Sequence, residues 1–255
     1  LPAIAACNQQ RKDGQTPYRD LPYNEAYPGD VKAVAGEIQP GCENFVVLGI
    51  GGSALGNIAL QTALNPYMYN TDPAQRGGGP RLFVFDNVDP MQFASFLQWI
   101  EDQLDKTVFN VISKSGRTAE TASQFMTISQ LLLKKLGQDG FRRQVVATTD
   151  ANAGTLRKIA DQSGLRTLVV PDGVGGRFSV LSPVGLLSAE MCGIDIDGLL
   201  AGAAKMDQIV SRDDFFSNPA AVNAAVNYHY YQRGKPISVM MPYSSLVVGL
   251  YLCSQ

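Results

Sequence analysis

From about residue 44 onward, short runs of apolar and β-branched residues alternate with longer stretches in which apolar positions recur every three or four residues. The runs at 46–49, 81–86, 109–113, 144–148 and 167–170 are bounded by Gly, Asp, Ser or Pro and read as buried strands. Between them the helical period runs through 54–64, 90–104, 118–136 and 152–162, and Asp89-Pro90 supplies an N-cap followed by a first-turn proline. Strict strand and helix alternation predicts an α/β fold: a doubly wound parallel sheet, a flavodoxin-like three-layer sandwich with helices on both faces. Ligands of such sheets bind at the carboxyl ends of the strands.

After residue 178 the pattern turns helical, over 182–192, 197–210 and 218–232. Gly234-Lys235-Pro236 then breaks into Ile237-Ser238-Val239-Met240-Met241, which reads as a strand opening a second α/β unit. The chain ends before that unit is complete and has no initiating Met, so it is expected to be a portion of a longer protein.

Composition narrows the function classes. The 255 residues are 45% hydrophobic and 17% charged, as expected for a soluble globular protein with a lightly charged surface. A net charge of -2 and 21 Lys and Arg without a cluster disfavour nucleic acid and anionic membranes as partners. Residues 44–71 carry no charge, but Gly51-Gly52-Ser53, Asn57, Gln61, Asn65 and Pro66 interrupt them, so they lack the roughly 20 consecutive apolar residues of a membrane span. Cys7, Cys42, Cys192 and Cys253 form no C-x-x-C pair and the chain has one His, which excludes a zinc site; the cysteines read as small apolar residues in a reducing, cytoplasmic setting. His229, among aromatic neighbours on a helix, reads as structural. No basic segment precedes the apolar start Leu1-Pro2-Ala3-Ile4-Ala5-Ala6, so no signal peptide is expected.

Three loops carry the candidate chemistry. Gly49-Ile50-Gly51-Gly52-Ser53-Ala54-Leu55-Gly56 joins the first strand to a helix, where backbone N–H groups and the positive end of the helix dipole suit an anion. Ser113-Lys114-Ser115-Gly116-Arg117-Thr118 makes a second such turn, with three hydroxyls and two cations, fit for a dianionic phosphate. Val174-Gly175-Gly176-Arg177-Phe178-Ser179 presents an Arg at the same sheet edge, suited to stabilising charge that develops on a substrate oxygen or to pairing with a carboxylate such as Glu120. Blander readings stand beside these: a plain turn for Gly51-Gly52-Ser53, helix capping for Ser113, Ser115 and Thr118, and solvated surface charges for Lys114 and, above all, Arg117. Gly49-x-Gly51-x-x-Ala54 also fits the loose dinucleotide pattern, although the acidic strand end, Asp86, lies 37 residues on rather than about 20. A Walker loop is excluded, because no Gly-Lys-Ser/Thr follows either glycine cluster.

Three stretches together resemble the sugar-isomerase (SIS) motifs of the glucose-6-phosphate isomerase family in its bacterial form. They are Val47-Leu48-Gly49-Ile50-Gly51-Gly52-Ser53-Ala54-Leu55-Gly56, Ile112-Ser113-Lys114-Ser115-Gly116-Arg117-Thr118-Ala119-Glu120 and Gly175-Gly176-Arg177-Phe178-Ser179-Val180-Leu181-Ser182. The likeness covers about residues 40–245, including Met241-Pro242-Tyr243-Ser244. It implies reversible aldose-ketose conversion of glucose 6-phosphate and fructose 6-phosphate, a step of glycolysis and gluconeogenesis, by a cytoplasmic homodimer with no metal and no organic cofactor. It also implies a division into an N-terminal extension (1–40), a first sugar-isomerase domain (41–180), and a helical connection leading into an incomplete second one (181–255).

Matched by position, the resemblance places Gly52 and Ser53 on the phosphate side of the pocket and assigns the phosphate to Ser113, Lys114, Ser115 and Thr118. It sets Gly176 and Arg177 beside the reacting carbons, with Arg177 stabilising the enediolate and Glu120 orienting Arg177 or groups near it. The family's general base, a Glu in a Glu-Ser-x-Gly-Lys-like segment, lies beyond Gln255. The chain is therefore expected to carry the phosphate half of a site and to show no appreciable turnover alone. Two other readings remain: a non-catalytic sugar-phosphate-binding module on the same sheet, and a dinucleotide-binding domain.

Overall fold

In the computed structural model, which describes residues 2–244, five strands form one all-parallel sheet: β1 (Asn44–Leu48), β2 (Arg81–Phe85), β3 (Thr107–Ile112), β4 (Val145–Thr149) and β5 (Arg166–Val169). All five predicted strands are present, within two residues at each end. Their order across the sheet is β2-β1-β3-β4-β5, so the chain reverses its direction of winding between β1 and β3. That reversal leaves a crevice at the carboxyl ends of the two strands that lead into the first two glycine-bearing loops.

Each strand feeds alternate side chains to opposite faces. Phe45, Val47, Val108, Ile112 and Val146 join one apolar layer; Val46, Leu48, Phe109, Val111, Val145 and Ala147 join the other. The first layer is closed by α2 (Ala26–Ile38), α3 (Gly52–Leu64) and α7 (Pro183–Met191), through Val31, Ala35, Leu60, Leu186 and Leu187. The second is closed by α4 (Pro90–Ile100), α5 (Ala119–Gln144) and α6 (Thr155–Ser163), through Ile100, Ile128, Leu132 and Ala160. Asp89 caps α4 as the sequence predicted, its carboxylate accepting from the amides of Met91 and Gln92.

The N-terminal 40 residues are built into this body. Helix α1 (Pro2–Lys12) and a 3-10 turn at Pro17–Tyr23 lie against α8 (Ile196–Val210). Asp207 of α8 accepts from Arg11 (2.5 Å), Arg19 (3.1 Å) and the Tyr23 hydroxyl (3.0 Å). Neither α1 nor α2 was predicted from the sequence. Their apolar stripes are short and their polar linkers long, so the signal is weak; Ile4 is the one buried residue of α1.

Two expectations need correction. Residues 237–241 form no strand and join no ladder among the described residues; Ile237 is 82% and Val239 74% exposed. A strand holds only as part of a ladder, and among the described residues the edges of this sheet, β2 and β5, pair with β1 and β4 alone. Residues 245–255, with Cys253, lie outside the described part. The preceding helix α9 (Pro219–Gln232) forms as predicted but buries none of its residues, so His229 is exposed and, among the described residues, its ring meets that of Tyr230 at 6.0 Å. The cysteines are mixed: Cys192 is buried, Cys42 half-buried and Cys7 exposed, and burial pushes the Cys42 and Cys192 thiols up to about 12. Among the described residues, no helix is long and apolar enough to cross a membrane.

Candidate functional site

The loops after β1 and β3 meet at one concavity of about 530 Å³, lined by Ser53, Ser113, Lys114, Ser115, Arg117, Thr118, Asp150, Ala153 and Gly154. Five of the nine candidate residues thus share one cavity. Gly52 and Gly176 lie against each other beside it, Glu120 is on the first turn of α5, and Arg177 is exposed on the adjoining 3-10 turn, Gly176–Leu181.

The loop after β3 is held by its own hydroxyls. Ser113, 6% exposed, accepts from the Gly116 amide at 3.0 Å and meets the Thr118 hydroxyl at 3.5 Å, while Ser115 accepts from the Arg117 amide at 3.2 Å. Thr149 braces it from β4, its hydroxyl donating to the Ser113 carbonyl at 2.7 Å. Thr118 stands at the N-cap of α5 yet makes no side-chain capping bond. The first N–H groups of α5 therefore keep their donor capacity, and the helix dipole adds positive potential at that end. Of the hydroxyls read as possible structural caps, Ser113 and Ser115 bond to amides within the loop, and Thr118 does not cap the helix.

The loop after β1 needs glycine for two separate reasons. Gly51 takes φ 58 and ψ -124, a conformation that disfavours a Cβ. Gly52 adopts ordinary helical angles, but a Cβ there would stand 2.1 Å from the carbonyl oxygen of Gly176. Backbone meets backbone at that point. The turn carrying Arg177 is thereby seated on the N-terminus of α3, next to the Ser53 side of the cavity.

Charges distribute unevenly. Lys114 turns its ammonium to the loop after β5, donating to the Pro171 carbonyl at 3.0 Å and pairing with Asp172 at 2.9 Å. The Arg177 side chain makes no hydrogen bond or ion pair among the described residues, and Arg177 and Glu120 do not pair in this structure. Its guanidinium is left available. Asp150 is the carboxylate lining the cavity; the amides of Asn152 and Ala153, each at 2.9 Å, and the charge of Lys114 hold its pKa below the usual aspartate value. A carboxylate so stabilised in its ionised form is a weak proton acceptor.

Sequence reasoning missed Asp150, Ala153, Gly154 and Asp172. The signal was available for the first three, because Thr148-Thr149-Asp150 closes a predicted strand whose carboxyl end belongs to the same edge. No group of three or more His, Cys, Asp or Glu suited to a metal ion occurs among the described residues.

Comparison with known proteins agrees with this architecture. The family model described as phosphoglucose isomerase matches residues 25–252. The chain is 44% identical over 243 residues to the glucose-6-phosphate isomerase of Carboxydothermus hydrogenoformans, covering 95% of the chain and 52% of that protein. It is 45% identical over 211 residues to the glucose-6-phosphate isomerase of Rubrobacter xylanophilus, covering 82% of the chain and 48% of that protein. Among solved structures, a hypothetical protein from Thermus thermophilus superposes with a TM-score of 0.83 at 34% identity, covering 98% of this chain and 56% of that one. A glucose-6-phosphate isomerase from Chlamydia trachomatis, at 24% identity and a TM-score of 0.66 over 82% of this chain and 38% of that one, shares the fold. The chain spans about half the length of the curated relatives it matches. With nearly all of its length inside the match and the three loops at one sheet edge, the chain belongs to the phosphoglucose isomerase family.

Proposed function

We propose that this chain supplies the phosphate-binding half of an aldose-ketose isomerase site that interconverts glucose 6-phosphate and fructose 6-phosphate through an enediolate. The observation that carries the reading is the backbone contact between Gly52 and Gly176, which seats the Arg177 turn beside the cavity lined by Ser53 and residues 113–118. In this reading the phosphate lies on the hydroxyls of Ser113, Ser115 and Thr118, which line the cavity, and on the first amides of α5. Holding the phosphate fixes the rest of the open-chain sugar, so that the carbon beside the carbonyl sits at a defined distance from a base. Proton removal there places charge on the enediolate oxygens, and the unpaired guanidinium of Arg177 offsets it. Glu120 orients Arg177 only once substrate draws the two together.

Proton transfer needs a base with a pKa nearer neutrality than that of Asp150. We assign that role to a part of the longer relatives outside this chain, along with the remaining half of the site. The division into a segment before residue 41, a first sugar-isomerase domain over 41–180 and a connection from 181 belongs to the same proposal, as do a dimeric assembly and a cytoplasmic setting.

Titration calorimetry tests the reading directly. Inorganic phosphate and fructose 6-phosphate should bind this chain saturably at one site, and Ser113→Ala with Thr118→Ala should weaken both. A coupled isomerase assay on the chain alone should show no appreciable turnover. Failure to bind either ligand, or tight binding of NAD in their place, would defeat the proposal.

A further inference from the structure

The Arg177 turn has two flanks, and the glycines account for one. On the inner side Gly52 receives the Gly176 backbone, and Val180 packs against Gly56. On the outer side the ring of Phe178 is 50% exposed and stacks on Tyr18, with ring centroids 4.3 Å apart and planes 16° apart. Tyr18 belongs to the 3-10 turn Pro17–Tyr23, which is anchored elsewhere: Arg19 and Tyr23 of that turn bond to Asp207 on α8. Pro17, its first residue, also lies against Gly173, where a Cβ would stand 2.9 Å from the proline ring. The outer wall of the turn is therefore a rigid piece of the N-terminal segment.

We infer that Tyr18 is a positioning residue for Arg177, clamping Phe178 so that the guanidinium is presented at a fixed place beside the anion cavity. The inference rests on the proposed role of Arg177, and its physical core, that Tyr18 restrains the turn, stands on geometry alone. Stacked aromatic pairs contribute beyond their buried area, and the ring without its hydroxyl preserves the stack. Tyr18→Phe should thus behave as wild type and Tyr18→Ala should not.

Two measurements on this chain decide the matter. Trypsin cleavage after Arg177, followed by mass spectrometry, should be about threefold to tenfold faster in Tyr18→Ala, the worth of one aromatic pair in the opening equilibrium. Cleavage after Arg157, whose side chain is 12% exposed in α6, reports global unfolding and should not change. In calorimetry, a phosphorylated aldonate, whose carboxylate mimics the enediolate, should lose affinity by a similar factor, while inorganic phosphate binds Tyr18→Ala as it binds wild type. Tyr18→Phe should restore both readouts. Unchanged cleavage after Arg177, equal acceleration at Arg157, or a loss that strikes both ligands alike overturns the inference. Should wild type bind neither ligand, the functional proposal falls and the proteolysis alone judges the clamp.

Discussion

Gly52→Ala sets two opposed effects against each other, and the sign of the result decides which prevails. Position 52 is the first residue of α3 and has no unusual backbone angle, so by helix propensity alone alanine should stabilise it by up to about 1 kcal/mol. The structure predicts the opposite. A Cβ would lie 2.1 Å from the Gly176 oxygen, 2.2 Å from its carbonyl carbon and 2.7 Å from its Cα. An ordinary carbon–oxygen approach is about 3.3 Å, so the facing backbone must retreat by roughly 1 Å, and no flexible side chain is present to yield instead. Forcing such a displacement in packed surroundings costs about 1–3 kcal/mol, which exceeds the propensity gain. Urea denaturation should therefore show Gly52→Ala destabilised by about 1–2 kcal/mol, with an unchanged slope. Because Arg177 rides on the moved backbone, affinity for a phosphorylated aldonate should fall more than affinity for phosphate. Gly51→Ala is the control: it meets no atom within 4 Å but forces an alanine to φ 58, so it should lose stability through local strain without displacing the Arg177 turn. A Gly52→Ala protein as stable as wild type, or more so, would refute the argument from close approach.

Other outcomes follow from the same geometry. Ser113→Ala removes the acceptor of the Gly116 amide and should cost about 1 kcal/mol in urea denaturation, and about 1–3 kcal/mol in phosphate binding by calorimetry. Asp207→Ala leaves Arg11 and Arg19 without their shared carboxylate and should cost about 1–3 kcal/mol, with faster proteolysis of residues 2–23. The folded-state pKa of Asp150 is lowered by backbone amides, so its contribution to stability is present above the ordinary aspartate pKa of about 3.9 and is lost as pH falls through the lower folded value. Asp150→Asn, which keeps the capping oxygen without the charge, should flatten that part of the acid-denaturation profile; an unchanged profile would contradict the assignment. Asp172→Ala should change stability by less than about 1 kcal/mol, since the Lys114–Asp172 pair is exposed, and any effect should shrink in high salt.

The sheet was legible because its signal is local. Runs such as Phe45-Val46-Val47-Leu48 are buried on both faces, and continuous apolarity closed by glycine suits little besides a central strand. Strand order was not legible from the sequence, but alternation and right-handed crossovers left few arrangements, and the three motif loops had to fall on the carboxyl edge in any of them. What escaped was long-range. Helices α1 and α2 take their stability from partners such as Asp207 and the α7 surface, far away in the chain. The direction of the Lys114 side chain was equally hidden, because a loop sequence specifies a cation without saying that Pro171 and Asp172 will claim it. Ile237 to Met241 failed for a related reason: β-propensity describes a surface waiting for a partner strand, and among the described residues this segment meets only α9, through the Ser238 hydroxyl and Asn227.

The two kinds of loop also differ in what would be needed to move them. Residues 113–118 hang on hydrogen bonds to their own amides and on the Thr149 hydroxyl of a central strand, so their shape follows directly from the sheet. The Arg177 turn owes its place to surfaces on both sides, the α3 backbone within and Tyr18 without, and no side chain among the described residues pairs with the guanidinium itself. A phosphate site of the first kind survives many distant changes, whereas the second kind registers any loosening of the N-terminal segment. Substitutions around Asp207 should consequently degrade aldonate binding before phosphate binding, since they reach the cavity only through the turn that carries Arg177.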